Sequence, residues 1–151
     1  MTGQQEAGRE ETGRHETGQD AAGRWYRIAA EDAVASPAVL VYPERIEENI
    51  RRMVRAAGGA ERLRPHVKTH KMPQVVRLQL AQGIDKFKVS TIAEAEMTAE
   101  AGGRDILLAY PAVGPNARRL AELVRRFPAV RFRAIADSVV CLLYTSPSPR
   151  D

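Results

Sequence analysis

Four basic side chains at every second position, Arg64, His66, Lys68 and His70, are the part of this chain best equipped for chemistry. They lie in the octapeptide Arg64-Pro65-His66-Val67-Lys68-Thr69-His70-Lys71. In an extended strand alternate side chains face opposite ways, so these four share one face while Leu63, Pro65 and Val67 share the other. A lysine crowded by positive neighbours and partly withdrawn from water has a lowered pKa, which leaves a free amine near neutral pH. A Schiff-base lysine needs such an amine. The same alternation also describes a solvated basic strand edge, and residue types alone leave both readings open.

Elements that could position these residues follow a regular rhythm. Val39-Leu40-Val41-Tyr42 reads as a strand after Ser36-Pro37. Pro43 opens a helix in which Ile46, Ile50, Met53, Val54 and Ala57 recur at helical spacing, and Gly58-Gly59 ends it. The spacing then predicts strands over 63–69, 87–90, 106–110 and 130–136, separated by helices starting at Pro73, after Thr91 and after Gly114. Thr91-Ile92-Ala93-Glu94 has the form of a capping box, with a hydroxyl and a carboxylate for the orphan amides of a helix start. Strands alternating with helices through short connections imply a parallel sheet with helices packed outside it. No Gly-x-Gly-x-x-Gly follows the first strand, which counts against a dinucleotide-binding sheet. In either parallel architecture the chemistry lies at the carboxyl ends of the strands. The residues there are Lys68, Thr69 and His70, then Ser90 and Thr91, then Tyr110, then Asp137.

Composition narrows the function classes. At 151 residues and 44% hydrophobic content, the chain has enough apolar material for one domain with a core. Residues 25–140 hold 19 Lys and Arg against 13 Asp and Glu. This excess is arginine-led, spread over several amphipathic helices and without interleaved aromatics, so nucleic acid is not an expected partner. Cys141 is the only cysteine, which leaves neither a disulfide framework nor a thiolate cluster. No apolar run approaches the roughly 18 residues of a membrane span, no signal-peptide core is present, and a cytoplasmic location with no membrane partner is expected. Residues 1–22 are polar and glycine-rich, cannot bury enough apolar surface to order themselves, and are read as a disordered extension.

Three ordered motifs carry a family resemblance. The octapeptide, Thr91-Ile92-Ala93-Glu94-Ala95-Glu96-Met97 and Leu107-Leu108-Ala109-Tyr110-Pro111-Ala112-Val113-Gly114-Pro115-Asn116 together resemble the D-threonine aldolase and D-serine dehydratase-like group. The resemblance runs from about Trp25 to Ser138. It implies an α/β fold: the first half of a (β/α)8 barrel of the alanine-racemase type, over residues 61–140. Residues 23–60 then hold a first helix and an early strand belonging to a smaller β-domain. It implies pyridoxal 5'-phosphate as cofactor and Lys68 as its Schiff-base lysine. His66 and His70 are read either as near that cofactor or as packing and hydrogen bonding inside the barrel, and Thr69 and Tyr110 as candidates for the pocket wall. The implied activity is lysis of D-β-hydroxy amino acids, of the aldolase type that yields glycine and an aldehyde. D-serine dehydratase, a racemase, or a non-catalytic cofactor carrier of the same fold are the alternatives.

The group also uses a divalent metal, manganese or zinc, held by a His-x-Asp or His-x-Cys pair near the C-terminus. His15, His66 and His70 are the only histidines here, and none has such a partner two residues on, so no metal ligands are expected within this chain. A barrel takes about 250 residues, and this chain reaches only a fourth barrel strand. Residues 141–151 read as translated sequencing-adapter read-through. The polypeptide as written is therefore expected to be an inactive N-terminal fragment of a protein that is a homodimer when full length.

Overall fold

The computed structural model describes residues 26–137 and Val139; the expectations for residues 1–22 and 141–151, Cys141 included, lie outside the described residues. Two compact units divide between Leu40 and Val41. In the first, the described residues form a single 3-10 turn, Glu31–Ala33.

The strand expected at Val39–Tyr42 does not form. A β-rich composition becomes a strand only through a ladder, and this run joins no β-ladder among the described residues. Val39 is 88% exposed.

In the second unit, helix α1 (Pro43–Ala57) starts at a proline whose missing N–H costs nothing at that position. It ends at Gly58, where φ is +76°, a conformation that an L side chain resists. Ile50 is its buried residue, with Ile46, Met53 and Val54 half-buried beside it. Its outer face is charged: Glu48 accepts from Arg52 and Arg51, which hold its carboxyl down at about 2.

Helices α2 (Pro73–Ala81), α3 (Ile92–Glu100) and α4 (Pro115–Arg126) alternate with strands β1 (Lys86–Val89), β2 (Asp105–Leu108) and β3 (Arg131–Ala134). The strands are parallel and lie in the order β1-β2-β3. Leu63 to His66 runs alongside β1: His66 pairs with Lys88 in a parallel bridge, and the Lys88 amide donates to the Pro65 carbonyl at 2.9 Å. Each successive segment therefore adds beside the previous one in the same direction. Right-handed crossovers in an unreversed order place every helix on one side. That is the arc of a barrel; a doubly wound sheet reverses its order at a switch point.

The two sheet faces differ in kind. Phe87, Val89, Ile106 and Leu108 point toward the helices and are almost wholly buried, in one core with Val76, Ile92, Ala95, Leu120 and Leu123. Alternation turns Lys86, Lys88, Asp105, Leu107, Arg131 and Arg133 to the concave side. Gly103 lets β2 approach this core closely: a Cβ there would lie 2.8 Å from Thr98 Cγ2 and 3.0 Å from Phe87 Cδ2.

Candidate active site

The strand expected over 63–69 is only partly realised. It stays extended as far as His66, then turns into a 3-10 helix, Val67–Thr69. Arg64 and His66 keep the alternation, whereas Lys68 and His70 leave it and do not share a strand face with them. Two features fix the turn. Val67 is fully buried and anchors it to the core. His66 caps it, its Nδ1 accepting the Lys68 amide at 3.2 Å. The His70 and Lys71 amides both donate to the Val67 carbonyl, at 3.1 and 2.9 Å. Lys71 follows with φ +50°, in the left-handed region that β-carbons disfavour.

Lys68 lies at the carboxyl end of this segment, but exposed, so the expected partial withdrawal from water is corrected. Burial there falls on Val67 because the turn points it inward and leaves the next residue outside.

The two histidines that bracket Lys68 repeat one device. His70 Nδ1 accepts the Met72 amide at 3.1 Å, as His66 Nδ1 accepts that of Lys68. With Nδ1 occupied as an acceptor, each neutral ring is assigned its proton on Nε2. For His66 this proton points to Ser90 Oγ, 3.3 Å away. For His70 it is buried and has no partner. Burial lowers the pKa of His66, and the Lys68 and Lys88 charges lower it further. Burial also lowers that of His70, against the pull of the Met72 bond and Glu94. Both rings are thus held toward the neutral form.

Glu94 ties the next strand end to this turn. Thr91 Oγ1 accepts the Glu94 amide at 3.1 Å, as the capping box requires. The carboxylate reaches one residue further back than usual, accepting the Ser90 amide at 2.8 Å, and its other oxygen faces Lys71 Nζ at 3.8 Å. Glu94 is buried, so α3, Ser90 and the residue after His70 are joined through one carboxylate.

Tyr110 stands apart. It is 62% exposed and lines a cleft of about 450 Å³ with Ser90, Thr91, Asn116 and Arg119, at the carboxyl ends of β1 and β2. Lys68, Thr69, His66 and His70 do not line this cleft; Ser90 lines it and also lies 3.3 Å from His66 Nε2. Asp137 lies exposed beyond β3.

A third group escaped the sequence reading. Asp105 Oδ1 accepts from Arg64 Nη1 at 2.8 Å and from Arg133 Nε at 3.1 Å, and Arg133 Nη2 reaches Oδ2 at 3.2 Å. Arg64 Nη1 also donates to the Asp105 carbonyl at 3.0 Å. Burial, the largest single influence, pushes the Asp105 carboxyl up, but Arg64 and Arg133 together hold it below the ordinary range. Period-two charge in Lys86-Phe87-Lys88 and Arg131-Phe132-Arg133 was the signal that could have revealed this face.

Residues 41–135 match the alanine racemase N-terminal domain family. The chain belongs to that family. The resemblance and the barrel expected from it are borne out together, since the match spans α1 and every strand of the arc. D-threo-3-hydroxyaspartate dehydratase from Delftia sp. (strain HT23) is 38% identical over 105 residues, which cover 69% of this chain and 27% of that protein. The crystal structure of D-threonine aldolase from Filomicrobium marinum superposes with a TM-score of 0.65 at 28% identity, covering 74% of this chain and 30% of its own. The chain thus spans under a third of the length of either relative. Family membership implies pyridoxal phosphate. The residues fit its aldehyde end: a primary amine stands exposed on a turn locked from three directions, beside a buried imidazole N–H without an acceptor. Among the described residues no three of His, Cys, Asp and Glu are grouped to hold a metal. Among the same residues no helix is long and apolar enough to cross a membrane.

Proposed function

We propose that this chain is the N-terminal part of a pyridoxal-phosphate-dependent lyase acting on D-β-hydroxy amino acids, with Lys68 as the amine that condenses with the cofactor aldehyde. One observation carries the reading: Lys68 is exposed at the strand ends while its backbone is fixed by Val67, His66 and the Val67 carbonyl. When bound, the cofactor supplies an electron sink for the bond broken at Cα. The chain's own residues orient and donate. The Val67–Thr69 turn aims the amine. His66 and His70, kept neutral, act as Nε2–H donors; in that tautomer neither can take a proton on Nδ1 without losing a backbone bond. Thr69 belongs to the same turn, and Tyr110 forms the outer wall of the neighbouring cleft.

Carbon–carbon cleavage of the aldolase type is the leading reading, supported by the structural likeness to D-threonine aldolase. Dehydration is the second, favoured by the higher identity to a dehydratase. A divalent metal, manganese or zinc, belongs to this reading of the whole protein, with ligands outside the described residues and no step here assigned to it.

Borohydride reduction of the holoprotein followed by peptide mapping tests the proposal. The pyridoxyl label is expected on Lys68, and Lys68→Ala is expected to lower turnover by on the order of 10³-fold or more while leaving the circular dichroism unchanged. A label on Lys71, Lys86 or Lys88 instead overturns it. Product analysis with D-threonine separates the two chemistries: glycine and acetaldehyde mark the aldolase, 2-oxobutanoate and ammonia the dehydratase.

A further inference from the structure

The chain holds only four lysines, Lys68, Lys71, Lys86 and Lys88, beside nineteen arginines. All four fall on the first two parallel segments and the turn between them. Two of the ammonium groups are engaged: Lys86 Nζ donates to the Glu61 carbonyl at 2.7 Å, and Lys71 Nζ faces Glu94. Lys68 and Lys88 have no side-chain partner among the described residues. One of these two is the amine assigned above. The other has no assigned work.

Lys88 sits on the concave side of β1, half-buried, as the ladder partner of His66. Its row continues to Leu107 and then Arg133. The acidic side chain of this face among these strands, Asp105, is already taken by Arg64 and Arg133, with Arg131 at 3.9 Å. Glu94 is committed to the Ser90 amide and Lys71. His66 next to it is kept neutral and spends its Nε2–H on Ser90. A half-buried ammonium with a surplus of cations around it lacks only an anion. Lysine is a compact point charge, suited to one carboxylate or phosphate oxygen.

We propose that Lys88 is a specificity-determining residue whose ammonium binds the side-chain carboxylate of a dicarboxylic D-β-hydroxy amino acid. Lys68 and Lys88 bracket His66, one two residues after it on the turn and the other across the bridge, so the substrate lies between an amine that holds the cofactor and an amine that reads its far end. The inference rests on the lyase reading and adds the substrate class to it.

The test compares the whole holoenzyme with its Lys88→Met and Lys88→Arg variants on D-threo-3-hydroxyaspartate and on D-threonine. Lys88→Met is expected to raise KM for the diacid about tenfold to a hundredfold, the range of a charged hydrogen bond lost. It leaves kcat for the diacid and both constants for D-threonine near the wild-type values, and Lys88→Arg recovers part of the diacid KM. An unchanged KM for the diacid overturns the proposal. So does an equal loss on both substrates, which assigns Lys88 to the shared α-carboxylate, to the cofactor phosphate or to folding. Borohydride mapping of Lys88→Met keeps the two readings apart: label retained on Lys68 with no change in diacid KM defeats only the role of Lys88, whereas label absent from Lys68 in the wild type defeats the lyase reading itself.

Discussion

The two faces of the parallel sheet are built from the same strands and follow opposite rules. On the helix side, Phe87, Val89, Ile106 and Leu108 are nearly inaccessible and belong to one apolar core. On the concave side, Lys86, Lys88, Asp105, Arg131 and Arg133 stand a residue away in sequence and carry almost all the charge of the sheet. Burial of apolar area holds the first face, without directional demands. Pairing holds the second, which is stable only as far as its charges find partners. Asp105 meets that need for Arg64 and Arg133. Lys88 remains over. The comparison teaches that apolar burial and charge are divided between the faces, so substitutions on each should differ in size and in their response to salt and pH.

The largest stability effect is expected on the helix side. Phe87→Ala removes a fully buried ring from the centre of the core and leaves a cavity, for a cost of about 3–5 kcal/mol. Urea denaturation followed by circular dichroism measures it, and the loss is expected to be the same at low and high salt. A marked salt dependence would break the contrast between the faces.

Asp105→Ala is the matching change on the concave side. It strands Arg64, whose side chain is 26% exposed, and Arg133, which at 48% can still reach water. The cost is therefore below that of a wholly buried pair, about 2–3 kcal/mol, and part of it should vanish at high salt as the stranded cations are screened. Acid titration sharpens the same comparison. Because the folded Asp105 carboxyl lies below its ordinary 3.8, its contribution is complete above that pH and is lost as pH falls through the lowered folded value. His66 and His70 also have folded pKa values below the ordinary 6.5, so the folded state binds fewer protons than the unfolded one, and stability starts to erode as pH falls below 6.5. Wild-type stability against pH should show both declines, and Asp105→Ala a smaller lower one, in which the share of Glu48 with its own arginines remains. An unchanged lower decline in the variant would remove Asp105 from the account.

Much of this division was legible in the sequence, and the reasons for the rest are local. Helical periodicity located α1 because Ile46, Ile50, Met53 and Val54 have no other reason to recur as they do. The capping box at Thr91–Glu94 marked the start of α3 within a residue. The turn at Val67–Thr69 was missed because a buried valine between polar neighbours looks the same in a strand and in a 3-10 turn; what separates them is His66 Nδ1 acting as a cap, a role more often filled by Ser, Thr, Asp or Asn. Val39–Tyr42 misled for a different reason, since composition cannot supply a ladder partner. Motif resemblance singled out Lys68 and its neighbours but passed over Lys88 and Asp105. Their meaning depends on which strand lies beside which, and only the register reveals that.

Thr91→Ala gives the smallest effect and the finest test of how the two faces are joined. The Thr91 hydroxyl accepts the Glu94 amide at the start of α3, and loss of such a cap costs about 1 kcal/mol. If the cap serves only the helix, the loss should appear in urea unfolding and nowhere else. Glu94, however, also holds the Ser90 amide through its carboxylate, and Ser90 holds His66. A helix start that loosens should therefore reach the Lys68 turn from the side where the sheet is apolar and well packed. Amide hydrogen exchange distinguishes the outcomes. Faster exchange at Lys68 and Met72, whose amides are held by His66 and His70, would show that the helix-covered face positions the chemical one. Exchange confined to the first turn of α3 would show that the two faces are independent, and that Val67 and His66 fix the turn without support from α3.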